Sequence, residues 1–286
     1  MSFRQACLLF LISTSVYYYK PVRKQEDEVI MRELSALAEL HKTWGFWLMF
    51  YRLRKLNFKW NHKRVYRVYT MMRLNLRNKR KRRLPAVVKE PLTRPIMPNI
   101  TWSIDFMHDT LQCGRKVRSL NIIDDFNREV LTIALDTSMP ASRVIRELDQ
   151  LIEWRGKPEN IRVDNGPEFI SSKLKEWTET NEINLRHIQP GKPTQNSLIE
   201  RFNRTFREEV LDSFLFKSIK EIRSFAKAWM WIYNNERPHQ GLNNLTPHEF
   251  LLKYGKPYLK NIEGFSTFQQ DNDDENLTSS HKIGAI

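Results

Sequence analysis

The chain has 286 residues, of which 41% are hydrophobic and 28% charged, with a formal net charge of +14 and a pI of about 9.8. This composition is typical of a globular protein of one or two domains. Its two cysteines, Cys7 and Cys113, match no zinc-binding spacing and argue against a disulfide framework, which fits a reducing compartment.

The charge is unevenly distributed along the chain. Residues 1–98 contain 22 Lys and Arg against 6 Asp and Glu, a net charge of +16, whereas residues 99–286 contain 25 against 27, a net charge of −2. This asymmetry predicts that the first part holds nucleic acid and that the second part carries the chemistry. A merely solvated basic surface is the alternative.

An apolar stretch at residues 6–12 is too short to cross a bilayer and is followed by no small-residue cleavage site. We therefore expect neither a membrane span nor secretion, and the protein is predicted to be cytoplasmic. The stretch favours a short helix–turn–helix piece instead, with Ser13 as the cap of its second helix.

Residues 1–76 are predicted to form an all-helical, helix–turn–helix-like DNA-binding region, with amphipathic helices at residues 28–41 and 46–56 and a third helix capped by Asn61. Basic side chains alternate with aromatic ones in the third helix. Lys63, Arg64 and Arg67 are its candidate DNA contacts. A helical bundle with a basic exterior fits the same pattern.

Residues 77–99 are predicted to form an extended basic linker. The run 77–83 is almost entirely Lys and Arg, and four prolines follow it. Like charges repel and prolines resist regular structure, so we expect this segment to lie along DNA, with Arg80 and Arg82 on phosphates. A solvated spacer is the alternative.

From residue 100 the pattern changes to strands alternating with helices. Strands are predicted at residues 101–107, 118–124, 129–135, 160–164 and 184–188, and helices at residues 142–154, 172–181, 194–214 and 220–234. This order predicts an α/β domain over residues 100–255, with a mixed five-stranded sheet and helices packed on it. Residues 256–286 are polar and are predicted to be a disordered tail.

Three carboxylates carry the functional signal. Asp105 lies in T-W-S-I-D-F-M, Asp164 in V-D-N-G-P-E-F, and Glu200 in N-S-L-I-E-R-F-N-R-T-F-R, with 35 residues between the last two acids. Three dispersed carboxylates can hold two hard divalent cations, which flank an in-line displacement at phosphorus. The pattern therefore predicts phosphodiester chemistry.

Alternatives to these assignments exist. An Asp inside an apolar strand is costly unless a bound metal or another cation compensates its charge, which favours Asp105. Asp164 in D-N-G is also typical of a turn. Four other acids compete with Asp105 for the first position: Asp109, Asp124, Asp125 and Asp136.

The helix that carries Glu200 is amphipathic. Its predicted apolar stripe consists of Leu198, Phe202, Phe206 and Val210. Its predicted polar face consists of Asn196, Glu200, Asn203, Arg204 and Arg207. This face suits a metal on one side and phosphate on the other, although a solvated helix face has the same pattern.

The three acids and their spacing resemble the D,D(35)E signature of retroviral-type integrases and related transposases. The resemblance is closer to the second reading-frame product of bacterial insertion sequences of the insertion-sequence-three family, and it covers about residues 4–252. It is carried by T-W-S-I-D-F-M, I-I-D-D-F-N-R-E, V-D-N-G-P-E-F, K-P-T-Q-N-S-L-I-E-R-F-N-R-T-F-R-E-E and Y-N-N-E-R-P-H-Q-G-L-N-N-L-T-P-H-E-F.

The resemblance implies a DDE transposase with an RNase H-like integrase core that uses Mg²⁺ or Mn²⁺, with two ions held by Asp105, Asp164 and Glu200. It implies that Arg207, seven residues after Glu200, contacts DNA; the polar face of the helix and a neighbouring basic residue add Asn196, Arg204 and Lys192 as candidate DNA contacts. It also implies terminal inverted repeats and target DNA as substrates, a homo-oligomer in the synaptic complex, and a frameshift fusion with an upstream reading-frame product that this chain lacks.

The sequence departs from the family pattern in one segment, and two other functions are alternatives to the transposase interpretation. Residues 44–49 are more apolar than the basic stretch that the family leads us to expect. The rivals are an RNase H-like nuclease without strand transfer and a non-catalytic DNA-binding regulator of the element. The segment Y-N-N-E-R-P-H-Q-G-L argues against the nuclease, because it belongs to the integrase-type resemblance.

Overall fold

The computed structural model describes residues 2–18, 25–76, 95–189 and 196–255, and residues 1–78 and 79–286 form separate units. The predictions for most of the linker, including Arg80 and Arg82, for Lys192 and for the polar tail lie outside the described residues. In the described ranges no helix combines the length and apolar character needed to cross a membrane.

The first unit is helical over its described residues. Its helices are α1 (Phe3–Leu9), α2 (Thr14–Tyr18), α3 (Gln25–Leu40), α4 (Phe46–Lys55) and α5 (His62–Met71). Asn61 caps α5 as predicted, because its side-chain oxygen accepts a hydrogen bond from the Lys63 amide at 2.9 Å. The buried apolar side chains of α3, α4 and α5 form the core: Ile30, Leu34, Leu37, Met49, Leu53, Val65 and Val68.

A carboxylate on α3 holds two of the predicted DNA-contacting arginines. Arg64 Nε donates to Asp27 Oδ1 at 2.8 Å, and Arg67 Nη2 donates to Asp27 Oδ2 at 2.6 Å. Asp27 is only 4% exposed, and the bonds from Arg67 and Arg64 hold the pKa of its carboxyl below the usual range. Arg64 and Arg67 thus join α3 to α5, while Lys63 is exposed. Contacts of Lys63, Arg64 and Arg67 with DNA stay a prediction.

The second unit contains the predicted mixed five-stranded sheet. Its strands are β1 (Thr101–Thr110), β2 (Lys116–Asp124), β3 (Val130–Asp136), β4 (Asn160–Val163) and β5 (Asn184–His187). Their order is β3-β2-β1-β4-β5, so β1 lies at the centre. The pairs β1–β2 and β2–β3 are antiparallel, and β1–β4 and β4–β5 are parallel.

Helices cover both faces of this sheet. They are α6 (Ala141–Arg155), α7 (Ser172–Thr180), α8 (Ser197–Phe206) and α9 (Ile219–Asn235), and a further helix, α10 (Pro247–Tyr254), packs Phe250 and Leu251 in a separate cluster with Phe126. Side chains alternate along the strands, so Ile104 and Leu120 pack in a cluster with α6 and α7, whereas Met107 and Val117 pack in a second cluster with α8 and α9. This two-sided α/β arrangement is the one that the resemblance to integrases implies.

The predicted helix over residues 194–214 is divided in the structure. Residues 190–195 lie outside the description, α8 ends at Phe206, and a π-helical turn follows at Arg207–Leu211. The wider turn shifts the register, so that Val210 and Leu211 are both buried. A prediction based on a constant period of 3.6 residues cannot detect such a shift.

The predicted faces of α8 are only partly correct. Phe202 and Phe206 are buried as predicted, but Leu198 is partly exposed and Ile199 is fully buried instead. Asn196 and Asn203, which we placed on the polar face, are 3% and 8% exposed. Burial of Asn203 is possible because the sheet supplies its hydrogen-bond partners, which helical periodicity does not reveal.

The segment Y-N-N-E-R, at the end of α9, binds the edge of the sheet. The Val130 amide donates to Asn234 Oδ1 at 2.9 Å, and Asn234 Nδ2 donates to the Val130 carbonyl at 2.9 Å, so a side chain extends the pairing of edge strand β3. Arg237 Nη2 lies 3.1 Å from Glu209 Oε1, and Trp229 Nε1 donates to Glu209 Oε2 at 2.7 Å. These contacts join α9 to β3 and to the π-helical turn.

Helix α10, which the sequence pattern did not lead us to predict, begins with a capping box. The Glu249 amide donates to Thr246 Oγ1 at 3.1 Å, and the Thr246 amide donates to Glu249 Oε2 at 2.8 Å. The signal was present in the sequence as T-P-H-E, in which proline occupies the first helical position.

The Asp27 contact leads to a stability prediction. Asp27→Asn should destabilise the first unit by about 1–3 kcal/mol, because two charge-assisted hydrogen bonds lose their charged acceptor while Arg64 stays partly buried. Chemical unfolding followed by tryptophan fluorescence measures this. Glu33→Gln is the control, since Glu33 pairs with an exposed Arg32. Equal effects of the two substitutions would contradict the assignment.

Candidate active site

Asp105 and Asp164 lie at the same end of two neighbouring parallel strands. The register pairs Ser103 on β1 with Arg162 on β4, and continuing it by two residues places Asp105 opposite Asp164, which directly follows β4. Both side chains are partly buried. Glu200 lies exposed on α8, one helical turn before Asn203.

The three acids interact through their charges. The pKa of Asp105 is raised to about 6, chiefly by burial and also by the charges of Asp164 and Glu200, while hydrogen bonds from the Phe106 amide and Asn203 act in the opposite direction. Like charges have this effect only when they lie near one another, so the fold brings the three predicted acids into one region.

Two asparagines connect Asp105 to the helix of Glu200. Asn121 is the cross-strand neighbour of Asp105 on β2, and its Nδ2 donates to Asn203 Oδ1 at 2.7 Å. Asn203 Nδ2 in turn donates to Asp105 Oδ2 at 2.8 Å. The Asn121–Asn203–Asp105 hydrogen-bond chain thereby fixes α8 against the sheet and orients the carboxylate. We did not predict Asn121; its only sequence signal is an amide inside an apolar strand.

Asp164 is held by its own loop. The Gly166 amide donates to Asp164 Oδ1 at 3.0 Å, and a Cβ at position 166 would also lie 3.0 Å from that oxygen. Glycine is therefore the residue that lets the backbone approach the carboxylate without crowding it. Phe169, fully buried, stacks on Phe106 of β1 at 4.8 Å and fixes the end of the loop.

An ion pair also ties this loop to the sheet. Arg118 Nη1 on β2 donates to Glu168 Oε1 at 2.5 Å, and Arg118 Cζ lies 4.4 Å from the Phe106 ring centroid. The bond from Arg118 holds the pKa of Glu168 below its usual range. Neither residue was predicted; the pair joins positions 50 residues apart, which no local pattern reveals.

The competing acids have other structural roles. Asp124 accepts hydrogen bonds from the Asn99 and Phe126 amides, each at 2.9 Å. Asp125 accepts from Ser103 Oγ at 2.7 Å and from Arg162 Nη1 at 2.6 Å. Both are buried and occupied by these partners. Asp136 lies 3.5 Å from Arg223 at the end of β3, and Asp109 is further along β1.

The predicted DNA contacts of α8 differ in their surroundings. Arg204 is exposed. Arg207 Nη2 donates to the His108 carbonyl at 2.6 Å, and Arg207 Nη1 lies 3.6 Å from Asp212 Oδ1. Arg207 therefore anchors the π-helical turn to β1 through at least part of its guanidinium group. Contacts of these residues with DNA stay predictions.

The carboxylates match a divalent cation in chemistry but not in spacing. Among the residues that the structure describes, no three His, Cys, Asp or Glu side chains are close enough to hold one ion together. Three carboxylates nevertheless supply the oxygen ligands that Mg²⁺ and Mn²⁺ prefer, and a cation would compensate the costly burial of Asp105. A bound ion would have to draw the side chains closer together than they lie here.

The raised pKa of Asp105, about 6, predicts a pH-dependent stability of the metal-free protein. The folded state holds the proton more tightly than the unfolded state, so wild type loses stability as pH rises between about 4 and 6. Asp105→Asn removes this loss and should be more stable than wild type at pH 8 by ~1–3 kcal/mol, with a smaller difference at pH 4. Thermal unfolding in a chelator measures it.

Asp109→Asn is the matched control, because it makes the same chemical change on the same strand outside the group of three acids. Asp109→Asn should leave the difference in stability between pH 4 and pH 8 as it is in wild type. A stability gain by Asp105→Asn that is the same at pH 4 and pH 8 would contradict the electrostatic explanation.

Comparisons with known proteins find integrase core domains and insertion-element proteins among the relatives of this chain. Two integrase core domain models match the chain, over residues 95–193 and 181–247. The insertion element IS407 uncharacterized 31.7 kDa protein of Burkholderia multivorans is 39% identical over 89% of this chain and 92% of that protein. The insertion element IS476 uncharacterized 39.2 kDa protein of Xanthomonas euvesicatoria is 36% identical over 93% of this chain and 77% of that protein.

Among solved structures, the HTLV-2 integrase catalytic core domain in complex with magnesium, in its trimeric form, aligns with 55% of this chain and 99% of that chain, at 22% identity and a TM-score of 0.45. The family rests on the sequence relatives, which extend over nearly the whole chain. The chain belongs to the family of insertion-element DDE transposases with a retroviral-integrase-like core.

Proposed function

We propose that this transposase catalyses metal-dependent DNA cleavage and strand transfer at the ends of its insertion sequence, with Asp105, Asp164 and Glu200 as the carboxylates that hold two Mg²⁺ or Mn²⁺ ions. The observation that carries the proposal is the position of Asp105 on the central strand, where the charges of Asp164 and Glu200 both act on its pKa. A buried carboxylate with two acidic neighbours favours binding of a cation.

The reaction consists of two displacements at phosphorus. Water attacks a phosphodiester at the end of the element, which leaves a 3′-hydroxyl and a 5′-phosphate. That 3′-hydroxyl then attacks a phosphodiester of the target and gives its proton to water, while the displaced 3′-oxygen of the target strand takes up a proton from water, so one P–O bond forms as another breaks. Bound divalent cations would supply activation of the attacking oxygen and stabilisation of the leaving oxygen. The protein forms no covalent intermediate with DNA.

The chain itself contributes a rigid frame for the carboxylates. Asn203 orients Asp105 by a hydrogen bond to Oδ2, and Gly166 orients Asp164 through its amide. The ion pair of Arg118 with Glu168 holds the Asp164 loop against β2. This frame would confine to the side chains the movement that brings the carboxylates onto a metal ion, which favours an efficient displacement.

DNA binding is proposed to depend on cations in both units. The substrates are terminal inverted repeats and target DNA, and the charge of +16 over residues 1–98 supplies the sequence-independent attraction. The proposed contacts are Lys63, Arg64, Arg67, Arg80, Arg82, Lys192, Asn196, Arg204 and Arg207. By the family resemblance, the chain acts in the cytoplasm at the nucleoid, as a homo-oligomer, together with an upstream reading-frame product.

A strand-joining assay tests the whole proposal. Purified full-length protein is incubated with labelled terminal-repeat DNA, a target plasmid and Mg²⁺ or Mn²⁺. Joined products are the expected result. Cleavage without joining would identify a nuclease, and binding without cleavage would identify a non-catalytic regulator of the element; either result would overturn the proposal.

Asp164→Asn should reduce cleavage by at least about 100-fold, because loss of a metal ligand costs more than loss of a residue that merely orients one. Duplex DNA affinity should stay near wild type, since it depends on basic residues. Mn²⁺ should also raise the melting temperature of the variant less than that of wild type. Asp149→Asn is the control, because Asp149 accepts a hydrogen bond from Trp177 on the outer helices. Cleavage that survives in Asp164→Asn would exclude the metal-ligand role.

Asn203→Ala should reduce cleavage by about 10- to 100-fold and raise the Mn²⁺ concentration needed for half-maximal activity, because Asp105 loses the donor that orients it. A merely structural role would lower stability without changing the metal dependence. Thr205→Ala is the control on the same helix, since its hydroxyl donates only to the Arg201 carbonyl. An unchanged metal dependence in Asn203→Ala would refute the orienting role.

A further inference from the structure

The first unit contains a cavity that the proposed chemistry does not use. It has a volume of about 540 Å³ and lies where α4, the loop after it and the start of α5 meet. This volume is within the range of small-molecule sites. Its lining includes Trp47, Tyr51, Arg54, Lys59, Trp60 and His62. We propose that this aromatic–basic pocket binds an unpaired DNA nucleotide, with the base against the rings and the phosphate on the two cations.

The aromatic side chains form exposed platforms of fixed orientation. Trp47 is 55% exposed, although a solvent-facing indole is unfavourable unless it meets a partner. Its ring lies stacked near Tyr51, with centroids 5.9 Å apart, and near His62, with centroids 6.0 Å apart. Trp60 stacks on Phe58 at 4.3 Å and 12°. Rings supported in this way offer flat faces on which a base can stack.

The charge around the rings selects the occupant. Arg54 and Lys59 are both exposed at the cavity, and of the described residues that line it none is acidic. An aromatic surface with two cations favours a planar group that carries a negative charge, which describes a nucleotide and disfavours a basic or purely apolar peptide. Of the apolar residues 44–49, Trp47 lines the pocket, whereas Trp44 and Met49 are buried.

The base must be unpaired. In a duplex both faces of a base are covered by its neighbours, so an aromatic side chain cannot stack on it without opening the helix. A single strand or a frayed end offers that face freely. The choice of DNA rather than RNA rests on the proposed function, because transposition generates cleaved and locally opened DNA ends.

The test compares two single-stranded oligonucleotides of equal length and charge, one with all its bases and one with abasic sites. Full-length protein is titrated against each in a fluorescence anisotropy assay at constant salt. Trp47→Ala should weaken binding of the oligonucleotide with bases about 5- to 50-fold and leave binding of the abasic one nearly unchanged, because only the stacking contact is lost. Trp47→Phe should keep most of the preference for bases. Lys59→Gln should weaken both complexes.

Trp231→Ala is the matched control, since Trp231 is 58% exposed on α9 of the other unit. Circular dichroism checks that the variants are folded. We expect Trp47→Ala to fold, because the Trp47 side chain is exposed rather than packed in the core. The pocket proposal is overturned if Trp47→Ala and Trp231→Ala behave alike, or if wild type binds both oligonucleotides equally well. It is also overturned if Trp47→Ala changes only the molecular mass in light scattering, which would make the cavity a contact between copies of the chain.

The outcome separates this proposal from the catalytic one. Loss of cleavage in Asp164→Asn with no effect of Trp47→Ala on single strands would reject the pocket and keep the transposase mechanism. A base-dependent effect of Trp47→Ala in a protein that neither cuts nor joins DNA would keep the pocket and reject the mechanism. Preference for an RNA oligonucleotide of the same sequence would reject DNA as the ligand.

Discussion

The candidate active site depends on keeping the carboxylate of Asp105 on the central strand of the sheet. Asp105 lies between apolar neighbours of β1, where burial, together with the charges of two further acids, raises its pKa to about 6. The fold tolerates this cost through the Asn121–Asn203–Asp105 hydrogen-bond chain, which satisfies the carboxylate and docks α8 in the same interaction. The position of Glu200 follows from that docking, because Glu200 lies one turn before Asn203.

The rest of the second unit, which carries the candidate active site, keeps this arrangement in place. The Asp164 loop is fixed by Phe169 against Phe106 and by Glu168 against Arg118. On the other side, Asn234 completes the pairing of edge strand β3, and Arg237 and Glu209 hold α9 near the π-helical turn. Much of the family signature is therefore structural. The conspicuous Y-N-N-E-R segment stabilises the sheet edge on which the site depends.

The sequence alone was sufficient to predict the main helices and strands of both units. Each predicted strand of the catalytic unit is present, because alternating apolar side chains and turn residues are local signals. The three acids could also be chosen from the sequence, since metal-dependent phosphodiester chemistry requires carboxylates and the spacing of Asp164 and Glu200 resembles that of a known family. Charge counting separated the basic residues 1–98 from the nearly neutral remainder.

By itself, then, the sequence determined the elements, the charge distribution and the choice of three candidate acids, because these depend on residue type and near neighbours along the chain. Only the tertiary structure decided which polar residues are buried and which side chains are their hydrogen-bond partners. Asn203 is buried because Asn121 lies 82 residues away in the chain but beside it in space, and Arg64 binds Asp27 across 37 residues. Such partners are brought together by packing, and no periodicity within one helix or strand contains that information.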